Sequence, residues 1–159
     1  MKVLAIDPGY DRIGIAVLDN EGGKDRVLFS MCLTTEKTAT LAKRLTIVGT
    51  TVSSLLVEHD PDYLAIETLF FSKNTKTALA VAEARGVILY VATLATVPIY
   101  ECNPNTIKLA TTGYGKSDKA AVIAMIKRLV ANAPATALDD EYDAIAVGVT
   151  CLAEVGRGR

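Results

Sequence analysis

Two short apolar runs, each closed by an acid, constrain this chain more than any other feature: Val3-Leu4-Ala5-Ile6 ends on Asp7, and Leu64-Ala65-Ile66 ends on Glu67. An apolar run of this length without alternation is the pattern of a strand covered on both faces. Between the two runs, Ile13 to Leu18 reads as a second strand, reached through a turn that Pro8 and Gly9 begin. Asp19-Asn20-Glu21-Gly22-Gly23 marks a hairpin into a third strand from about Arg26 to Leu33. Leu41, Leu45, Val48, Val52 and Leu55 recur at helical spacing, and Asp60-Pro61-Asp62 closes that helix before a strand from Tyr63 to Ile66. A right-handed strand–helix–strand crossover lays the first and fourth strands side by side and parallel. Asp7 and Glu67 then leave the sheet at the same edge.

The remainder alternates helix and strand. Thr75 to about Thr93 is Ala-rich and contains Gly86, so it is expected to pack closely against the sheet or another subunit. Val97 to Cys102 forms a fifth strand. Asn103 and Pro104 suit the cap and first turn of a helix reaching Thr112. Gly113-Tyr114-Gly115 reads as a flexible loop, Ser117 as the cap of a helix to about Ala131, and Asp139 or Asp140 as the start of an apolar helix through Cys151. The expectation is an α/β protein with a five-stranded mixed sheet flanked by helices: three strands in an antiparallel meander, two added in parallel. This resembles the layout of the ribonuclease H fold, as a single domain over residues 1–153 with a short Gly/Arg-rich tail over 154–159.

With 159 residues, half of them hydrophobic, the chain can bury a core without disulfides. Seventeen basic residues stand against eighteen acids, which excludes a globally basic nucleic-acid coat and an acidic tail. Cys32, Cys102 and Cys151 are odd in number and widely spaced, unlike a zinc site or secreted scaffold, and fit a reducing cytoplasm. No apolar stretch approaches twenty residues, so no membrane association is expected. The balance is uneven along the chain: residues 68–132 carry +5 and the rest −6. Such asymmetry suits a face that meets phosphates. Lys108, Lys116 and Lys119 flank the glycine loop, whereas Lys127 and Arg128 read as a solvated helix face. Phe70 and Phe71 are adjacent, so an extended segment leaves one free to stack on a base, with Lys73 and Asn74 following. His59 reads as a surface residue at a helix end. Gly115-Lys116-Ser117 lacks the earlier glycine of a phosphate-binding loop, Ala110 standing there instead.

Asp140 and Asp143, three residues apart, share one face at the start of the last helix. Asp139 and Glu141 suit the helix dipole. Were Asp7, Glu67, Asp140 and Asp143 to converge, they would repel one another and take up protons. A divalent cation relieves that conflict, and oxygen-only ligands select Mg²⁺ or Mn²⁺. Two such ions, about 3.5–4 Å apart, clamp the attacking and leaving oxygens of a phosphoryl displacement. The chemistry expected is phosphodiester hydrolysis.

Taken together, Ile6-Asp7-Pro8-Gly9 with Gly14, Pro61 to Glu67 leading to Phe70, Phe71, Lys73 and Asn74, Ala84-Arg85-Gly86, Asn105 to Lys108, Gly113 to Lys119 and Asp140 to Ala146 resemble a RuvC-type Holliday junction resolvase over nearly the whole chain. The resemblance implies a homodimer that cuts two opposing strands of a four-way DNA junction symmetrically, with two Mg²⁺ ions per site and Mn²⁺ as a substitute. It implies Asp7, Glu67, Asp140 and Asp143 as metal-binding catalytic acids, Lys108 and Lys119 beside the scissile phosphate, and Phe70 as the aromatic that intrudes on junction bases. It also implies a branch-migration motor complex as partner. Two alternatives stand beside it: a ribonuclease H-like nuclease processing ribosomal RNA precursors, which Asp7-Pro8-Gly9 through Ala16 would also suit, and a junction-binding protein without catalysis. An actin-like ATPase needs two such domains, and the chain is too short for both.

Overall fold

The computed structural model describes residues 1–69 and 75–156. Its five strands are β1 (Lys2–Asp7), β2 (Arg12–Asp19), β3 (Arg26–Thr34), β4 (Tyr63–Glu67) and β5 (Ile99–Cys102). They form one sheet in the order β3-β2-β1-β4-β5. β3, β2 and β1 pair antiparallel, and β4 and β5 join in parallel, as the sequence predicts. The five helices are α1 (Leu41–His59), α2 (Thr75–Leu94), α3 (Pro104–Thr112), α4 (Lys119–Leu129) and α5 (Asp139–Val155).

The period-2 alternation of the strands sorts their side chains into two cores. Leu4, Ile6, Ile15, Val17, Leu64 and Ile66 pack with Val48 and Val52 of α1 and Ile88 and Ala92 of α2. Val3, Ala5, Ala16, Leu18 and Ala65 face the other way, against Ala144, Ile145, Val147 and Cys151 of α5 and Val122 and Ile126 of α4. This parity decides where the acids go. Asp7 follows Val3 and Ala5, and Glu67 follows Ala65, so both belong to the face that α5 covers. The Ile6–Ile66 pairing sets them one step further along neighbouring strands.

Ala5, Gly14, Ala16 and Ala65 place small residues on the α5 side beside Val3 and Leu18, and the helix lies close. A side chain added at Gly14 would meet the carbonyl oxygen of Asp140 at 1.8 Å, and one at Gly148 would lie 3.2 Å from Ala5 Cβ. On the opposite face the close approach between α1 and α2 is made at Gly49, where an added Cβ would stand 3.0 Å from Val87. Gly86 has nothing within 4 Å, so it does not make the close contact expected of it within this chain.

The β1–β2 turn is braced from α1. Arg44, only 3% exposed, donates to Thr35 Oγ1, to the carbonyl of Tyr10 and to Asp11 Oδ1, and its guanidinium lies 3.5 Å from the centre of the Tyr10 ring. A buried guanidinium needs several acceptors, and the turn beside Asp7 provides them.

Several boundaries differ from expectation. The cap of α4 is Asp118, whose side chain accepts from the N–H of Ala121; Ser117 instead bonds to Thr112 Oγ1 at 2.7 Å. An aspartate at this position offers a charged acceptor to the helix end, and the hydroxyl is spent elsewhere. α4 stops at Leu129, because Ala131 pairs with the chain at Asp25 and Val27. β5 begins at Ile99 rather than Val97, whose N–H is taken by Ala92. α5 continues to Val155, and Glu154, read as the start of a tail, accepts a hydrogen bond from Tyr100. His59 is half buried against Phe29, ring centroids 5.6 Å apart.

Replacing Gly14 by alanine would drive a methyl group into backbone, which yields less readily than a side chain. Gly14→Ala is expected to lower stability by about 3 kcal/mol, the upper end for overpacking, measured as a shift in the urea midpoint at unchanged slope.

Candidate active site

β1 and β4 deliver Asp7 and Glu67, and the first turns of α5 deliver Asp140 and Asp143. The Asp7 and Glu67 carboxyl groups lie within hydrogen-bonding reach of one another, so a proton held by the pair is shared between them. Burial, then the negative charges of Glu67, Asp143 and Asp140, push the Asp7 carboxyl up to about 8. Glu67 is also raised, by burial and then by Asp143, with its bond to Asp7 and the charges of Lys108 and Lys119 working against the rise. Burial raises Asp143 too, opposed by Lys119. The four acids therefore act on one another as a set, the condition in which carboxyl groups hold protons or recruit a cation.

Beside them lies an open cleft of about 280 Å³. Glu67, Asp143, Lys108 and Lys119 supply its polar wall; Ile107, Val122 and Ala146 belong to its apolar lining. Lys119 Nζ donates to Asp143 Oδ2 at 2.7 Å and lies 3.4 Å from Asp139. Burial works against the ammonium, but the two carboxylates prevail and hold its pKa above the ordinary value.

Asp140 meets a cation that the sequence analysis did not single out. Arg12 Nε stands 3.1 Å from Asp140 Oδ2, near enough to pair in charge, yet this buried oxygen has no aligned hydrogen-bond donor. Arg12 opens β2, and only the folded register of β2 beneath α5 brings the two together. Glu141, read as a dipole partner, accepts from Ser30 Oγ of β3 at 2.6 Å.

The remaining sequence-predicted residues fall into three groups. Phe70, Phe71, Lys73 and Asn74 lie outside the described residues. Lys116 is exposed and does not line the cleft. Arg85, counted with the phosphate-facing cations, is turned inward instead: it donates to the carbonyl of Glu67 and pairs with Glu101. The glycine loop is bonded rather than loose. Thr112 Oγ1 accepts from the N–H of Tyr114 and donates to a carbonyl, Ser117 N–H bonds to Tyr114 O, and Gly113 takes the left-handed conformation that ends α3.

An all-oxygen donor set, mutual repulsion and a buried carboxylate oxygen without a donor together fit a hard divalent cation. As the side chains stand, however, no three acids among the described residues converge into a formed metal cage. Lys119 and Arg12 engage Asp143 and Asp140, so the gathering expected from sequence is complete only for Asp7 and Glu67.

The family described as "Crossover junction endodeoxyribonuclease RuvC" matches residues 3–151. The chain belongs to this family. A relative from Thermosipho melanesiensis bearing that description is 44% identical over 153 residues, covering 96% of this chain and 97% of its own. The solved structure of T. thermophilus RuvC in complex with Holliday junction substrate superposes with a TM-score of 0.93 at 28% identity, covering 99% of this chain and 96% of that one. The yeast mitochondrial Holliday junction resolvase Ydc2 shares the fold at a TM-score of 0.68 and 14% identity. The ribonuclease H-like architecture and the activity of a crossover junction endodeoxyribonuclease follow from membership. No helix among the described residues is long and apolar enough to cross a membrane.

The raised Asp7 carboxyl has a consequence for metal-free protein. Its ordinary value is 3.8, so between about pH 4 and 8 the folded chain keeps a proton that the unfolded chain has released, and stability falls as pH rises through that window. Asp7→Asn should flatten the fall and leave the variant more stable than wild type at about pH 9, read from urea midpoints in EDTA.

Proposed function

We propose that this chain works in the cytoplasm as a homodimer, resolving four-way DNA junctions by symmetric, Mg²⁺-dependent cuts in two opposing strands. One observation carries the reading: Glu67, Asp143 and two lysines wall a single cleft, with Asp7 beside Glu67 at the adjacent strand end, in a chain of this family.

Asp7, Glu67, Asp140 and Asp143 are the residues that would hold the metal, two ions per site, with Mn²⁺ able to substitute. Bound there, the ions would supply Lewis-acid stabilisation to the attacking and leaving oxygens. The chain's own residues do the rest. Lys119 holds Asp143 at 2.7 Å and, with Lys108 across the cleft, presents positive charge where a phosphate would enter. Ile107, Val122 and Ala146 give the cleft an apolar floor that strengthens those charges by excluding water. Lys116, exposed on the bonded loop after α3, meets a neighbouring phosphate. Phe70 is the aromatic that would stack on junction bases, and Phe71, Lys73 and Asn74, close to it in sequence, would contact the DNA.

The outward side of α2 supports a second copy as partner. Leu79, Tyr90 and Leu94 are 66%, 63% and 65% exposed, and Gly86 lies among them open to close approach. Large apolar side chains spaced along one helix side mark a contact surface. A branch-migration motor remains the further partner proposed from family resemblance.

The test is a labelled four-way junction, with and without Mg²⁺, alongside a structured RNA precursor. Paired nicks on opposite strands of the DNA, absent without the metal, are expected; preferential cutting of the RNA would overturn the reading. Asp7→Asn and Asp143→Asn should reduce cutting by on the order of 10⁴-fold while junction affinity in a gel shift stays or improves, because neither substitution adds negative charge near the phosphates. Affinity lost in step with cutting would contradict the metal-holding role.

A further inference from the structure

Arg85 is a charged residue in the middle of the Ala-rich helix α2, yet its side chain is only 16% exposed. It reaches two other elements. Its Nε donates to the backbone carbonyl of Glu67 at 3.2 Å, and its terminal nitrogen pairs with Glu101 on β5.

The carbonyl it meets lacks a partner in the sheet. Thr68 N–H bonds to the carbonyl of Cys102 on β5 at 2.8 Å. In a trans peptide the carbonyl and the N–H point in opposite directions, so the carbonyl of Glu67, in the same peptide unit, is turned away from β5 toward β1. There the residue after Asp7 is Pro8, which has no N–H to give. The ladder that orders β4 therefore ends one bond short, at the peptide that carries a catalytic-site acid. A partly buried carbonyl left without a donor would let that peptide turn.

We propose that Arg85 is a positioning residue for Glu67: its guanidinium supplies the donor that Pro8 withholds, fixing the peptide from which the Glu67 carboxylate projects, while Glu101 holds the guanidinium in place. The proposal rests on the resolvase reading for its effect on cutting, and on the hydrogen bond alone for its effect on the backbone. It also ties the catalytic carboxylate to α2, whose outer side bears Leu79, Tyr90 and Leu94. Arg85 acts through Glu67 and does not touch DNA. A fork of donors serves two acceptors at once, which a lysine ammonium on a flexible stem does less well.

The experiment compares wild type with Arg85→Ala, Arg85→Lys, Glu101→Gln and the reversed pair Arg85→Glu/Glu101→Arg. It measures single-turnover junction cleavage, junction affinity without divalent cation, thermal midpoint and amide exchange at Thr68. Arg85→Ala should lower the cleavage rate by about 10- to 100-fold, as loss of a group supporting a metal ligand does, with affinity within about twofold of wild type. Arg85→Lys should regain part of the rate, and Glu101→Gln should lose less than Arg85→Ala. The reversed pair should recover thermal stability but not rate, because it restores an ion pair and offers the Glu67 carbonyl nothing. Exchange at Thr68 should accelerate whenever the Arg85 donor is removed. Cleavage by Arg85→Ala at the wild-type rate, a loss wholly in affinity, or recovery of rate by the reversed pair would overturn the proposal. Should wild type cut no junction, the resolvase reading fails instead, and Thr68 exchange still decides: unchanged protection in Arg85→Ala refutes the role of Arg85.

Discussion

Two carboxyl groups crowded together at the ends of adjacent parallel strands set the terms for the rest of this molecule. Asp7 and Glu67 are brought together by register, Ala5 against Ala65 and Ile6 against Ile66, and burial removes the water that would let both ionise. Every neighbouring element then serves either to sharpen the conflict or to ease it. α5 adds Asp140 and Asp143; α4 answers with Lys119, β2 with Arg12, and α3 with Lys108. A site that is electrostatically uneasy when empty is one disposed to capture a cation.

The fold earns that arrangement through parity and size. One face of the sheet takes the branched side chains that pack against α1 and α2. The face beneath α5 takes Ala5, Gly14, Ala16 and Ala65, and the helix carries Gly148 there, so backbones lie close and the acids at the helix start arrive over the strand ends. Arg44 holds the intervening turn from below, through Tyr10, Asp11 and Thr35, with a guanidinium buried among oxygen acceptors and an aromatic ring.

The sequence made these features legible to different depths. The sheet order, the crossover and the pairing of Asp7 with Glu67 follow from period and connectivity, which act over a few residues or obey one handedness. Asp140 and Asp143 were found by helical spacing, but their pairing with Arg12 and Lys119 depends on how α5 sits across β2 and against α4. Ser117 and Asp118, side by side, offer equivalent local signals for a cap, and the bond of Ser117 to Thr112 leaves that place to Asp118. Gly86 suits a close approach to the sheet or to another subunit; within this chain the close approach is made at Gly49 of the facing helix, since a glycine shows only that an approach is permitted. Arg85 looked like one more surface cation. Its inward role needs a missing N–H on a different strand, a relation that no window of sequence contains.

The crowding under α5 also bears on how this chain can drift. Mutation from glycine or alanine almost always adds atoms, so the close-packed positions beneath the acids have little room to vary in volume, whereas large residues facing α1 and α2 can exchange shape with their neighbours at conserved total volume. Over generations the two layers should diverge at unequal tempo, the side beneath the acids held by geometry before any selection on chemistry is felt.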